Sequence, residues 1–356
     1  MAADLFTPIQ VGSLVLKNRI FMAPLLRRRT DPDNVPSALM KEYYVQRASA
    51  GLIVSECNLI ASQTSAYTDE PGVFTAEQLA AWKEITDAVH AKGGKIFAQL
   101  WHAGRRAHPN NNDGAANVGP SPIAISGDVY TTKGMAPHAV PSELSVDEIA
   151  AIVGQFATAA TNAVDVAGFD GVEIHAVNGY LLDQFLRTSS NKRTDLYGDA
   201  QENRSRFLAE VLHAVAAAVG ADKVGLRVAP LNSYNDVKDD DPLALSQEIA
   251  AVAQRAHVAY VHVFRNDQFD LQHGDILPIF RQHFHRTLLG NSGYTKEEAN
   301  AAIQGGLVDA VAFGQLFVAN PDLPERFHEN APMNTPDVDT FYTGGARGYI
   351  DYPALQ

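Results

Sequence analysis

Three side chains close together in the sequence, His175, Asn178 and Tyr180, carry the functional groups of greatest chemical interest. A neutral imidazole and a carboxamide can both donate hydrogen bonds, and a phenol holds a weakly acidic proton. Two neutral donors on one oxygen, with a separate weak acid aimed elsewhere, suit a reaction that builds negative charge on a carbonyl and ends by protonating carbon. A packing role for the same three residues is equally compatible with their types. Arg227 stands inside the apolar run Val224-Gly225-Leu226-Arg227-Val228 and calls for an anionic partner if that run is buried. The pairs Ser292-Gly293 and Gly314-Gln315 follow apolar runs. Glycines there serve a turn, or loops whose amides bind phosphate. The histidines are scattered, and His283 with His285 lacks carboxylate company, so no metal site is expected.

These groups need elements to position them. Short apolar or β-branched runs at 20–25, 51–55, 95–100, 169–175, 223–228, 258–263, 287–291 and 310–313 predict eight strands. Stretches of helical period lie between them, at 75–91, 145–167, 200–219, 244–255 and 296–304. Thr75 three residues before Gln78, Ser145 three before Glu148, and Thr295 before an acidic turn mark helix starts. Eightfold strand–helix alternation without a Gly-x-Gly-x-x-Gly after the first strand predicts a closed (β/α)8 TIM barrel rather than a doubly wound sheet. Residues 5–16, with Gly12-Ser13 inside, read as a β-hairpin closing the barrel floor. The Gly-, Pro- and Asn-rich stretch 102–141 reads as a lid or substrate-binding excursion after strand 3. His175 falls at the C-terminal end of strand 4, where barrel enzymes put their chemistry.

The 356 residues suit a single barrel domain spanning 1–356. A formal charge of −13 argues against nucleic acid and anionic membrane as partners. One cysteine, Cys57, excludes an intramolecular disulfide framework and fits a reducing, cytoplasmic setting. The first residues carry no secretory pattern, the last no lipidation box, and the apolar runs are strand-sized. The chain is expected to act as a monomer or homodimer.

The segment His-Ala-Val-Asn-Gly-Tyr-Leu-Leu-Asp-Gln-Phe-Leu at 175–186, followed by Ser-Ser-Asn-Lys-Arg-Thr-Asp, Tyr197-Gly198 and Glu202-Asn203-Arg204, resembles the central signature of the old yellow enzyme family. The likeness covers nearly the whole chain. It includes Asn18-Arg19-Ile20, Met22-Ala23-Pro24-Leu25, Tyr43-Tyr44, Gln46–Ile53, Ala98–Arg105, Ala312-Phe313-Gly314 with Phe317, and the tail motifs around Phe341-Tyr342 and Gly348-Tyr349.

That resemblance implies non-covalent FMN across the top of the barrel, with NADPH or NADH as reductant. It places Ala23, Pro24, Leu25, Leu26 and Cys57 beside the flavin ring. Gln99 falls at the pyrimidine edge and Arg227 at N1/O2, where a fixed charge stabilises the reduced ring. It places the phosphate near Asn291, Ser292, Gly293, Phe313, Gly314 and Gln315. The implied reaction passes a hydride from flavin N5 to the β-carbon of an electron-poor alkene, an α,β-unsaturated carbonyl or nitroalkene. His175 and Asn178 polarise the substrate oxygen, and Tyr180 protonates the α-carbon. Tyr67, Trp101 and Tyr349 are candidate pocket walls.

The chain departs from the family in three places. Leu26 replaces a threonine that donates to flavin O4, and Gln315 replaces an arginine after Phe-Gly. The text Phe264-Arg265-Asn266-Asp267-Gln268-Phe269 after strand 6 is unlike the commoner form. Arg27-Arg28-Arg29 reads as a solvated loop, or as compensation for a missing phosphate contact or an attractor for the phosphate of NADPH. Two other readings stay open: a weakly active flavin-binding sensor, and a relative specialised for a prostaglandin, oxylipin or nitrate ester.

Overall fold

The computed structural model describes residues 3–355; Met1, Ala2 and Gln356, part of the terminal sequences read for targeting signals, lie outside the described residues. Eight parallel strands close a barrel in chain order. They are β1 Ile20–Met22, β2 Leu52–Leu59, β3 Ile96–Trp101, β4 Gly171–Ala176, β5 Val224–Val228, β6 Tyr260–Phe264, β7 Thr287–Asn291 and β8 Ala310–Phe313. The last two have the bounds that the sequence predicts. β1 is shorter than predicted and ends before Pro24, which has no N–H to give a ladder.

β2 runs past its predicted end at Ser55, through Glu56 and Asn58. Both polar side chains are buried and hydrogen-bonded, with Asn58 Oδ1 the one oxygen of the pair left without a partner among the described residues. Tyr44 Oη donates to Glu56 at 3.1 Å, and Asn58 Nδ2 donates to Ser55 Oγ at 2.9 Å. A register shift between Val54 and Cys57 marks a bulge, the usual device for re-aiming a side chain at a barrel rim.

The hairpin Ile9–Val11 and Leu14–Leu16 buries Ile9, Val11 and Leu16 against Phe21, Phe97, Tyr260 and Leu289 and so plugs the barrel floor. Its turn residue Gly12 has φ 55°, and a side chain there would meet the Asp222 carbonyl, so only glycine fits. The outer helices follow their start signals. Thr75 with Gln78 and Ser145 with Glu148 form full capping boxes ahead of Ala76–Ala91 and Val146–Thr161. The predicted helix at 200–219 breaks at Ser205 into Gln201–Arg204 and Arg206–Val219. Contrary to the strand-sized runs read from sequence, Val146–Val166 is one helical stretch long and apolar enough to cross a membrane. Here its Ile149, Ile152, Phe156, Ala159 and Ala160 are buried, as on the core-facing side of an outer barrel helix.

The excursion after β3 carries the antiparallel pair Asp128–Thr131 and Gly134–Pro137. Tyr130 on this hairpin reaches the cavity at the barrel mouth.

Candidate active site

Parallel register brings the polar residues of neighbouring strands side by side. Glu173 pairs with Gln99, His175 with Arg227, and Arg227 with His262. These residues sit at the upper end of the barrel, beneath a cavity of about 530 Å³, within the usual range for small-molecule sites. Pro24, Leu25, Leu26, Cys57, Tyr67, Gln99, Trp101, His175, Asn178, Tyr180 and Arg227 all line it. A larger groove of about 720 Å³ lies between outer helices, lined by Ala150, Glu202, His213, Glu248 and Arg255 among others. It is shallow and distant from the strand ends, so the smaller cavity is the better candidate.

The cavity floor is an ion–dipole network. Glu173, fully buried, accepts from Gln99 Nε2 at 2.8 Å and Tyr260 Oη at 3.0 Å, and pairs with His262 Nδ1 at 2.9 Å. Burial opposes its ionisation, but His262, these hydrogen bonds and the nearby Arg227 hold the carboxyl below its usual range. Because a carboxylate only accepts, it fixes which end of the Gln99 amide faces it, and the Gln99 carbonyl oxygen is left for the cavity. Arg227 donates from Nη2 to Asn291 Oδ1 at 3.1 Å, while its Nε is buried without an acceptor. Asn291 in turn donates to Ala312 O at 2.7 Å, tying β5, β7 and β8 together.

The wall above β4 depends on a left-handed turn. Asn178 has φ 57° and Gly179 φ 69°. A side chain on Gly179 would collide with the Tyr234 carbonyl. The turn delivers Tyr180, whose ring stands edge-on to Trp101 at 4.6 Å and to His175 at 5.1 Å. Asn178 Oδ1 accepts from Asn232 Nδ2 at 2.7 Å, and Asn232 Oδ1 accepts from the Gln268 N–H at 3.2 Å. This chain of bonds turns the Asn178 NH2 away from Asn232, free of any protein acceptor among the described residues.

Burial and, secondarily, Arg227 push the His175 imidazolium down to about 3, so the ring is neutral at physiological pH. Its Nδ1 is enclosed without a partner. An unpaired lone pair there costs less than an unpaired N–H, which favours the proton on Nε2. Burial, then Tyr67, raise the Tyr180 phenol well above its ordinary value, so it is a proton-bearing group. The Tyr180 hydroxyl is 3.0 Å from that of Tyr67, which lies 3.4 Å from that of Tyr234. Arg106 lies 4.8 Å over the Tyr67 ring. Burial likewise raises the Cys57 thiol, which therefore faces the cavity as a thiol and not a nucleophilic thiolate.

The remaining residues flagged from sequence fall around this cavity or away from it. Ala23 is buried beside Pro24 and its N–H donates to Phe313 O at 3.0 Å. Gly314 packs near Leu25, and Gln315 is exposed. Ser292 (φ 85°) and Gly293 (φ 71°) form the loop after β7. The N–H groups of Ser292, Gly293, Gly314 and Gln315 have no acceptor among the described residues.

Two expectations need correction. Tyr349 is not a cavity wall. It is fully buried, stacked on Tyr43 at 4.2 Å, with the Arg27 and Arg29 guanidiniums 5.1 and 4.7 Å from its ring centre. Tyr342, from the same tail, lines the cavity instead. The arginine run is not a solvated loop either. Arg27 and Arg29 are buried, donating to the carbonyls of Thr340, Phe341 and Gly348, and only Arg28 reaches the cavity. Sequence reading passed over Glu173, Asn232, Tyr234, Arg106 and Tyr342. The charged residue inside the apolar run Gly171–Ala176 is the one signal that points to any of them.

Comparison with known proteins agrees in sequence and in shape. A sequence profile of the NADH:flavin oxidoreductase / NADH oxidase family matches residues 4–334. A probable flavin mononucleotide-dependent alkene reductase of Leishmania infantum is 45% identical over 354 residues, covering 98% of this chain and 96% of that protein. A putative 12-oxophytodienoate reductase 2 of Oryza sativa subsp. japonica is 43% identical over 366 residues, covering 100% and 95%. Among solved structures, morphinone reductase in complex with tetrahydroNAD superposes with a TM-score of 0.94 at 44% identity, covering 99% of this chain and 98% of that one. The old yellow enzyme from Trypanosoma cruzi gives 0.95 at 39% identity, covering 99% of each chain.

Proposed function

This chain belongs to the old yellow enzyme family of NADH:flavin oxidoreductases acting on C=C bonds, and from that premise we propose that its barrel-mouth cavity holds FMN and reduces α,β-unsaturated carbonyls and nitroalkenes. The donor set suits that cofactor. Arg227 carries an unpartnered buried Nε, Gln99 turns a carbonyl oxygen to the cavity, and the amides of Ser292, Gly293, Gly314 and Gln315 lack acceptors. In this reading Arg227, Gln99, Ala23, Pro24 and Cys57 hold the ring, and the loops after β7 and β8 hold the phosphate. FMN bound there would supply two-electron hydride chemistry between NADPH or NADH and the β-carbon of the alkene.

The protein's own residues do the rest. The free Asn178 NH2 and the neutral His175 donate to the substrate oxygen and stabilise the charge that builds there. Tyr180 gives its phenolic proton to the α-carbon, and the Tyr67 hydroxyl at 3.0 Å steadies the resulting phenolate. Trp101, Tyr67, Tyr234 and Tyr342 wall the substrate from solvent. The whole chain acts as one catalytic unit.

One observation carries this reading: His175, Asn178 and Tyr180 share a single cavity with Arg227 and Gln99 at its floor. The test is anaerobic. NADPH or NADH should bleach the yellow of the FMN-loaded protein, and 2-cyclohexenone should restore it. Failure of either step overturns the proposal. Tyr180→Phe should slow the second step and spare the first; unchanged alkene reduction would remove Tyr180 as proton donor.

A further inference from the structure

A phosphate held only by backbone amides carries little to offset its charge. Gln315, at the position where the family resemblance implies an arginine, is exposed and neutral. The nearest replacement comes from a different strand. Arg265 follows directly on β6, in the segment whose text departs from the family form. Its guanidinium lies over the loop after β7. Nε donates to the Ser292 carbonyl at 2.9 Å, and Nη2 stands 3.8 Å from where a side chain on Gly293 would begin. The group is pinned from two more sides. It sits 3.8 Å over the Tyr294 ring, and Nη1 donates to Glu298 at 2.6 Å. Nη2 has no acceptor among the described residues.

We propose that Arg265 is the cationic ligand of the FMN phosphate in this chain, standing in from the end of β6 for the arginine that Gln315 replaces. The inference rests on the FMN reading above. Three features support it together. Nη2, with its N–H groups unused, stands beside the same loop whose Ser292 and Gly293 amides are unused. Ser292 holds a left-handed φ of 85°, which a β-substituted residue adopts only where its surroundings demand it. Stacking on Tyr294 and the bond to Ser292 O hold the guanidinium in place before any ligand arrives, so less side-chain entropy is lost on binding. Glu298 takes one edge of the fork and leaves the other to an anion. Half of that pair is exposed, with 43% of the Glu298 side chain accessible, so solvent weakens its competition for the charge.

The test compares FMN with riboflavin, which lacks the phosphate, on apoprotein by flavin-fluorescence titration. Arg265→Gln should weaken FMN binding about tenfold or more and leave riboflavin binding within about twofold. Arg265→Lys, which keeps the charge, should fall between. Adding Gln315→Arg to Arg265→Gln should recover most of the lost FMN affinity, which also guards against a variant that merely folds poorly. Equal losses for FMN and riboflavin, or no loss at all, would overturn the inference. So would a change confined to KM for NADPH with FMN affinity intact, since Arg265 would then serve the coenzyme phosphate. Wild-type protein that binds neither flavin would instead sink the FMN reading itself.

Discussion

Asn232 Nδ2 donates to Asn178 Oδ1 at 2.7 Å, so a residue beyond β5 decides which end of the Asn178 amide faces the cavity. The Gln268 N–H fixes Asn232 in its turn, at 3.2 Å. Asn232→Asp keeps the shape and still accepts from Gln268, but it can no longer donate. Asn178 must then turn its NH2 toward position 232, and the substrate oxygen loses a donor. Losing one such donor where charge develops costs on the order of a hundred- to a thousandfold in rate. Stopped-flow reoxidation of the reduced protein by 2-cyclohexenone should show that drop; an unchanged rate would mean that Asn178 does not polarise the substrate through Nδ2.

Leu26 packs beside Cys57, Trp101 and Tyr180 and lines the cavity with methyl groups alone. A threonine there adds a hydroxyl able to donate to the flavin carbonyl that gains electron density on reduction. One such bond is worth on the order of 0.5–1.5 kcal/mol, which for two electrons is roughly 10–30 mV. Leu26→Thr should therefore raise the flavin midpoint potential by about that amount in a dye-coupled titration. A potential that stays put, or falls, would show that position 26 does not contact the reducible end of the ring.

The C-terminal segment forms part of the cavity because two arginines hold it. Arg27 donates to Phe341 O at 3.0 Å and Gly348 O at 2.9 Å, and Arg29 reaches Thr340 O at 2.7 Å. Arg27→Met removes the guanidinium from over Tyr43 and Tyr349 and leaves the buried Gly348 carbonyl without its donor, while Arg29 still serves Phe341 O, a loss of about 1–3 kcal/mol. The Tm should fall, and KM for the alkene should rise because Tyr342 rides on the same segment. A lower Tm with KM unchanged would separate the tail's anchoring from the substrate wall.

Local pattern decided how much of this could be read in advance. β7 and β8 appear in the sequence with their true bounds because apolar runs end there at loop-forming residues. β2 outruns its prediction because Glu56 finds Tyr44, and Asn58 finds the Gln99 carbonyl besides its own strand, on elements that no local window contains. His175, Asn178 and Tyr180 are legible as a group since six residues hold them all. Their orienting partners are not: Asn232 stands 54 positions from Asn178 and Glu173 stands 74 from Gln99, joined only by parallel register. Tyr349 illustrates the reverse error. An aromatic beside glycine in a family-like tail reads as a ligand wall, yet the cations of Arg27, Arg29 and Arg47 draw this region into the core.

Glu70 sets a pH limit on the fold. It is fully buried, its Oε1 has no partner, and Ser65 supplies a hydrogen bond to the other oxygen. Burial pushes its carboxyl up to about 8, despite the donors from Ser65 and from the Tyr67 backbone. In the unfolded chain the same group ionises near the ordinary glutamate value of about 4.3. Between those two values the folded state binds the extra proton, so stability declines as pH rises through the window. Below it both states are protonated, and above about 8 both are ionised, so the loss is complete and constant. Glu70→Gln cannot ionise and should escape this decline. Its Tm relative to wild type should climb steadily from pH 5 to pH 8 and level off beyond. Glu56, pushed to about 7 by burial, imposes a similar slope, but it is present in both proteins and cancels in the difference. A Tm difference that stays flat with pH would show that Glu70 ionises normally in the folded protein, with water reaching Oε1.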